Sequence, residues 1–335
     1  MYRPCQTAPA PLPSPPIGPV VRYRRLGLLL AFLCFTAVSP AAAQLPGPQE
    51  PIAPILSPPA QDPRRVLLGE RLFHDLRLSH NNTRSCSSCH DVATNGASAN
   101  AHDPALDGRA LALNTLTVFN ASLSFRLNWE GKFRSLEEHA DRIIRNPELL
   151  ASSPEEAVGK LRTDPETVRL FREAYGKEPD VASLLDAIAA YERSLVTPGS
   201  RFDRWLLHEP GAITAEELSG YRLFKSLGCV ACHQGINVGG NLFQRRGVFQ
   251  PLGAPEPAVV RVPSLRNVAT TAPYFHDGSA ATLPDAVKAM GQAQLDRILT
   301  DQQVAAIVAF LNTLTGIYRG NAVQAASATV DKARP

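Results

Sequence analysis

Apolar positions recur along the chain at spacings of three and four, and the blocks they form predict helices. Val181, Leu184, Leu185, Ile188 and Leu195 mark one stripe, and Val304, Ile307, Val308, Leu311 and Leu314 mark another. Each spacing gives a helix a single apolar face that must find a partner. Start signals stand where they are needed. Asp62 ahead of Pro63 caps a helix carrying Gly69-Glu-Arg-Leu72-Phe73, and Thr214 with Glu217 boxes the start of one carrying Gly220-Tyr-Arg-Leu223-Phe224. Thr300 and Gln303 open the last stripe in the same way. Because the Gly-x-Arg-Leu-Phe element occurs twice, the pattern reads as one duplication with a period of about 150 residues, not a solenoid. The expectation is a mainly α protein with little sheet.

At 335 residues the chain has room for two domains, each with its own core. The first 43 residues read as a cleavable signal peptide. Arg22, Arg24 and Arg25 form a basic region, Leu26 to Val38 an apolar run short of a membrane span, and Ala41 and Ala43 a cleavage site. Export to the periplasm follows, with no membrane anchor left after cleavage. That leader holds four basic residues (Arg3, Arg22, Arg24, Arg25) and no acidic ones, so 34 Lys+Arg against 31 Asp+Glu becomes 30 against 31. The balance removes any case for nucleic-acid binding. Residues 44–60 read as a Pro-rich linker and 319–335 as a disordered Ala/Ser-rich tail.

Cleavage also removes Cys5 and Cys34, leaving four of the six cysteines, Cys86, Cys89, Cys229 and Cys232. They form Cys86-Ser-Ser-Cys89-His90 and Cys229-Val-Ala-Cys232-His233. Two thiols one turn apart can add across the two vinyl groups of a haem while the next residue gives the iron an imidazole. A thioredoxin-like redox site has no need of the following His, and a zinc site needs further ligands at short spacing. Opening helix, haem motif and closing helix are the plan of a cytochrome c domain. The chain therefore reads as two such domains in tandem, 61–205 and 206–318, each with one covalently bound haem.

The sixth coordination position separates electron transfer from ligand chemistry. Of the two methionines one is the initiator, so Met290 can serve only one iron. It lies downstream of His233 and ahead of the closing helix, where it is placed to complete the second haem. For the first haem the candidates are His74, His80, His102 and His139, or no protein ligand at all. Two inequivalent haems favour an enzyme over a carrier.

The chain resembles the bacterial di-haem cytochrome c peroxidases along nearly all of its mature length. The matching residues are Leu68-Gly-Glu-Arg-Leu-Phe73, Arg77-Leu-Ser79, the first haem motif, Asn114-Thr-Leu-Thr-Val-Phe-Asn120 and Trp129-Glu-Gly131. Ser200-Arg-Phe-Asp203, the second motif, Thr271-Ala-Pro-Tyr-Phe-His276, Met290-Gly291 and Phe310-Leu-Asn-Thr-Leu-Thr-Gly316 follow in order. The resemblance implies a peroxidatic first haem and a His/Met second haem fed by a small reduced cytochrome c or a cupredoxin. It implies Trp129 between the haems, and Glu148 as a proton shuttle for hydrogen peroxide. Read alone, Glu148 is an acidic residue in the first turn of a helix. The resemblance also implies a calcium ion near Asn114, Thr271 and Pro273, and a homodimer.

One position departs from the family. Counting back from Asn114, the distal His found in many members falls on Leu106, and the nearest histidine is His102. Either His102 serves as the distal ligand or the first iron stays five-coordinate; the gap-free run from His90 to Asn114 favours the second. Two other functions keep the same fold: a peroxide-dependent di-haem oxidase of a partner protein's Trp side chains, and a non-catalytic di-haem electron carrier. The oxidases carry Tyr where Met290 stands here, and a carrier needs a strong sixth ligand on both irons.

Overall fold

A computed structural model describes residues 50–57 and 60–326. The signal-peptide reading falls outside them. The described residues are mainly helical, with two short antiparallel ribbons, β1 (Phe243–Arg245) with β2 (Val259–Arg261) and β3 (Ile317–Tyr318) with β4 (Asn321–Ala322). No described helix is long and apolar enough to cross a membrane.

The first half opens with α1 (Pro63–Phe73), which Asp62 caps through its side chain. Helices α2 (Leu136–Arg145), α3 (Pro154–Leu161), α4 (Pro165–Tyr175) and α5 (Val181–Ser194) follow. After α6 (Arg201–Leu206), the second half runs through α7 (Ala215–Ser226), α8 (Leu283–Leu295) and α9 (Asp301–Asn312). The capping boxes at Thr214/Glu217 and Thr300/Gln303 are both formed.

The duplication is visible in how the opening and closing helices cross. A Cβ on Gly69 would lie 1.9 Å from the carbonyl oxygen of Ala187 in α5, and one on Gly220 would lie 1.9 Å from that of Ala306 in α9. Each helix pair therefore meets backbone to backbone at its glycine. The closing helices stop one or two residues short of Leu195 and Leu314, both assigned to them by periodicity. Their carbonyls are used elsewhere: Leu195 accepts from the amide of Asn120, and Leu314 from that of Asn267. Both asparagines are left-handed, at φ 61° and 59°, a conformation their short polar side chains tolerate.

Two of the expected segment boundaries shift. The stretch read as a linker buries Ile52 and Ile55. Ile52 joins a core built mainly from the second half, together with Phe202 and Trp205 of α6. The stretch read as a disordered tail is ordered as far as residue 326: β4 pairs with β3, and Val323 packs with Phe73, Phe119 and Tyr191 of the first half. The common reason is that isolated apolar residues in Pro- or Ala-rich sequence carry no periodicity from which burial could be read.

Candidate functional site

Each Cys-X-X-Cys-His motif begins with a 3-10 turn, at Cys86–Ser88 and at Cys229–Ala231. The histidine amide closes the turn on the first cysteine's carbonyl at 3.0 Å in both copies. The imidazoles are then fixed alike. His90 Nδ1 lies 3.2 Å from the Gly96 carbonyl oxygen, and His233 Nδ1 lies 3.4 Å from that of Val238. The ring of Phe73 stands 6.5 Å from His90 at 50°, and that of Phe224 stands 6.3 Å from His233 at 49°. With Nδ1–H donating to a carbonyl, Nε2 is left with its lone pair for a metal. Burial lowers the pKa of both rings, that of His233 to about 4, which favours the neutral imidazole that a metal requires.

All four cysteines are free. Burial pushes the Cys86 thiol up to about 12 and that of Cys229 up to about 11. An activated redox dithiol would have its pKa lowered, not raised. No group of three His, Cys, Asp or Glu side chains able to hold a metal ion occurs among the described residues. The thioredoxin-like and zinc readings lose their support together.

A cavity of about 770 Å³ opens at the first motif. Its wall includes Cys86, Cys89 and His90, the 111–119 segment, Trp129, one face of α2, and two buried charged residues, Glu192 and Arg261. A haem fits this lining for a reason independent of the cysteines. Arg261 is only 6% exposed, burial alone lowers its pKa to about 10, and no carboxylate pairs with it among the described residues. Its Nε donates to the Asn128 carbonyl at 3.0 Å. A buried guanidinium needs a counter-charge, and the carboxylates of a haem would supply one.

Trp129 is buried in the wall. Its Nε1 donates to the Asn114 carbonyl at 2.7 Å, and its carbonyl accepts from the Arg261 amide at 2.7 Å. The duplication gives this residue a counterpart. Asn128 and Gly131 have φ of 61° and 62°; Phe275 and Gly278, in the equivalent turn, have 73° and 64°. Trp129 therefore corresponds to His276, and the two rings meet edge to face at 6.3 Å, joining the halves.

Glu148 reaches the cavity rim as an exposed side chain. It does not lie in a helix's first turn: it follows the C-terminus of α2, where its amide donates to Asn146 Oδ1 at 2.9 Å. The helix-dipole explanation is removed. Its carbonyl accepts from the Leu106 amide at 2.8 Å, but neither Leu106 nor His102 forms part of the wall. His102 Nδ1 is buried without a hydrogen-bond partner. The histidine that shares the cavity with His90 is His139, on α2.

Met290 is half-buried on α8, on the face it shares with Ala286 and Val287. Asn114 donates its side-chain amide to the carbonyls of Asn100 at 3.1 Å and Ala101 at 3.2 Å, and its backbone amide to that of His276 at 2.7 Å. The 271–276 segment is thus tied to Asn114. Glu192 and Arg261 had escaped notice as wall residues, whereas His139 stood among the four histidines considered for the first haem. Glu192 precedes Arg193 and reads as a solvated pair, and Arg261 stands in a short strand without pattern. For His139 a signal existed, its spacing with Leu136 and Ile143 along one helical face.

Comparison with known proteins agrees with this geometry. A family model described as di-haem cytochrome c peroxidase matches residues 63–210, and a cytochrome c model matches residues 218–315. The chain is 39% identical to the cytochrome c551 peroxidase of Nitrosomonas europaea, over 82% of this chain and 87% of that one. It is 37% identical to the cytochrome c551 peroxidase of Pseudomonas aeruginosa, over 80% of this chain and 83% of the relative. Among solved structures, a MauG-like protein associated with microbial copper homeostasis superposes with a TM-score of 0.68 at 27% identity, covering 81% of this chain and 95% of that one.

Proposed function

This chain belongs to the di-haem cytochrome c peroxidase family, and from that premise we propose that it reduces hydrogen peroxide to water in the periplasm, drawing electrons from a small reduced cytochrome c or a cupredoxin. It carries two covalently bound haem c groups, which supply the iron redox chemistry when bound. Cys86, Cys89 and His90 would hold the first. Cys229, Cys232, His233 and Met290 would hold the second. Trp129 links the halves as the route for electrons, and Glu148 moves protons between the cavity and solvent. A calcium ion held by the Asn114 side-chain oxygen and the carbonyls of Thr271 and Pro273 would steady the junction. Calcium takes oxygen ligands, and Asn114 has its amide nitrogen already committed to two carbonyls. The working unit is a homodimer.

The observation that carries this reading is the cavity at the first motif. His90 opens into a space that would take the haem, whose rim bears a carboxylate and whose wall bears Trp129. The test is turnover. Fully oxidised holoprotein, never pre-reduced, is mixed with a reduced small cytochrome c, whose oxidation is followed on adding peroxide. Immediate oxidation establishes the peroxidase and an accessible first haem. A lag abolished by pre-reduction keeps the peroxidase and requires a gate. No oxidation under either condition overturns the reading.

A further inference from the structure

We propose that His139 is the distal proton acceptor of the first haem cavity, taking a proton from the peroxide that enters it. The assignment rests on the peroxidase reading for its substrate and on the cavity alone for its geometry. Three observations converge. His139 and the proximal His90 line one cavity, whereas His102 stands outside its wall. From α2 the cavity is lined by Leu136, His139, Arg142, Ile143 and Arg145; both arginines are exposed, so the imidazole, with Leu136 and Ile143 beside it, is the least exposed polar group the helix contributes. The ring is held in place by Phe133, with centroids 5.1 Å apart, and no protein group accepts from or donates to its nitrogens among the described residues. A half-buried imidazole, mounted on a helix and left without a protein partner, is available to whatever enters the cavity.

The proton balance is simple. One hydrogen peroxide, two electrons from the donor protein and two protons give two waters. His139 removes the proton from one peroxide oxygen and returns it to the other as the O–O bond breaks, so that this oxygen leaves as water. Glu148, at the exposed rim, brings in the two protons from solvent that, with the two electrons from the donor, turn the remaining oxygen into the second water. The half-buried base and the exposed carboxylate thus divide the work by depth.

Cyanide gives a readout other than turnover, because it enters as HCN and must lose its proton to bind ferric iron. In oxidised holoprotein carrying His139→Leu, cyanide association slows by roughly ten- to a hundredfold, and His139→Gln falls in between. The high-spin spectrum of the first haem is unchanged in both. Haem content of the variants is checked first, and the glutamine variant guards against misfolding of the leucine one. Association at the parental rate in both variants overturns the proposal. So does a parental spectrum that is low-spin and turns high-spin on substitution, since His139 would then be an iron ligand. Absence of peroxide turnover in the parent, with the cyanide ratio intact, would strike the peroxidase reading and leave this assignment standing.

Discussion

Glu192 carries a carboxyl into the wall of the first haem cavity with its Oε2 buried and unpartnered. Burial, reinforced by repulsion from Glu137 and only partly offset by Arg193, raises its pKa to about 8. The folded protein therefore holds a proton that the unfolded chain releases near 4.5. Between those two pH values the native state binds the extra proton, so stability falls as pH rises through the window and is level outside it. The loss is on the order of a few kcal/mol at the upper end. Glu192→Gln keeps the shape and removes the titration, so the variant should match its parent near pH 5 and melt higher at pH 8 or above. Thermal unfolding of the two holoproteins at both pH values checks this, and because other buried groups titrate equally in both, the difference isolates Glu192. Equal melting points at the higher pH would remove the argument. Residues of this kind were not legible in the sequence. The haem motifs were, because covalent attachment imposes a spacing on the chain itself; the burial of Glu192, Arg261 and His139 is imposed by segments distant in sequence.

At the scale of helices, legibility followed capping and periodicity. Asp62, Thr214 and Thr300 cap where the side-chain pattern requires it. What periodicity could not give was the crossing of opening and closing helices, since a glycine in a helix reads as a weak point and not as a contact. The contact is severe enough to predict from. An alanine at Gly69 or Gly220 would gain about 1 kcal/mol of helix propensity. Its Cβ would also fall 1.9 Å from a carbonyl oxygen of α5 or α9, where the obstructing atom is backbone and cannot swing aside. Overpacking of this kind costs on the order of 3 kcal/mol, so the clash wins. Both Gly69→Ala and Gly220→Ala should destabilise the holoprotein by similar amounts in denaturant titrations. A variant as stable as its parent would mean that the crossing helices part freely and that the repeated glycine has no packing role.

At the scale of the molecule, the two halves are joined through the turn that carries Trp129. The indole donates to the Asn114 carbonyl at 2.7 Å, Asn114 donates from its own amide to the His276 carbonyl at 2.7 Å, and the Trp129 and His276 rings meet at 6.3 Å. One ring comes from each half, at equivalent positions of the duplicated unit, so the junction is where the internal symmetry folds back on itself. A buried tryptophan can be there for packing or for electron passage, and the two roles separate on substitution. Trp129→Phe keeps an aromatic body and loses the indole N–H, leaving the Asn114 carbonyl without its donor, a cost of about 1–3 kcal/mol. If the residue only packs, the variant loses that stability while peroxide oxidises the second haem at the parental rate. If electrons pass through the indole, oxidation of the second haem in rapid mixing with peroxide slows by roughly tenfold or more, equivalent to a barrier raised by about 1.4 kcal/mol. The spectra of both haems should stay as they are, because neither iron is touched by the change. Other bonds also cross the junction, among them Asn95 Nδ2 to the Thr270 carbonyl, so a parental rate in the Trp129→Phe protein would send the path elsewhere in the junction.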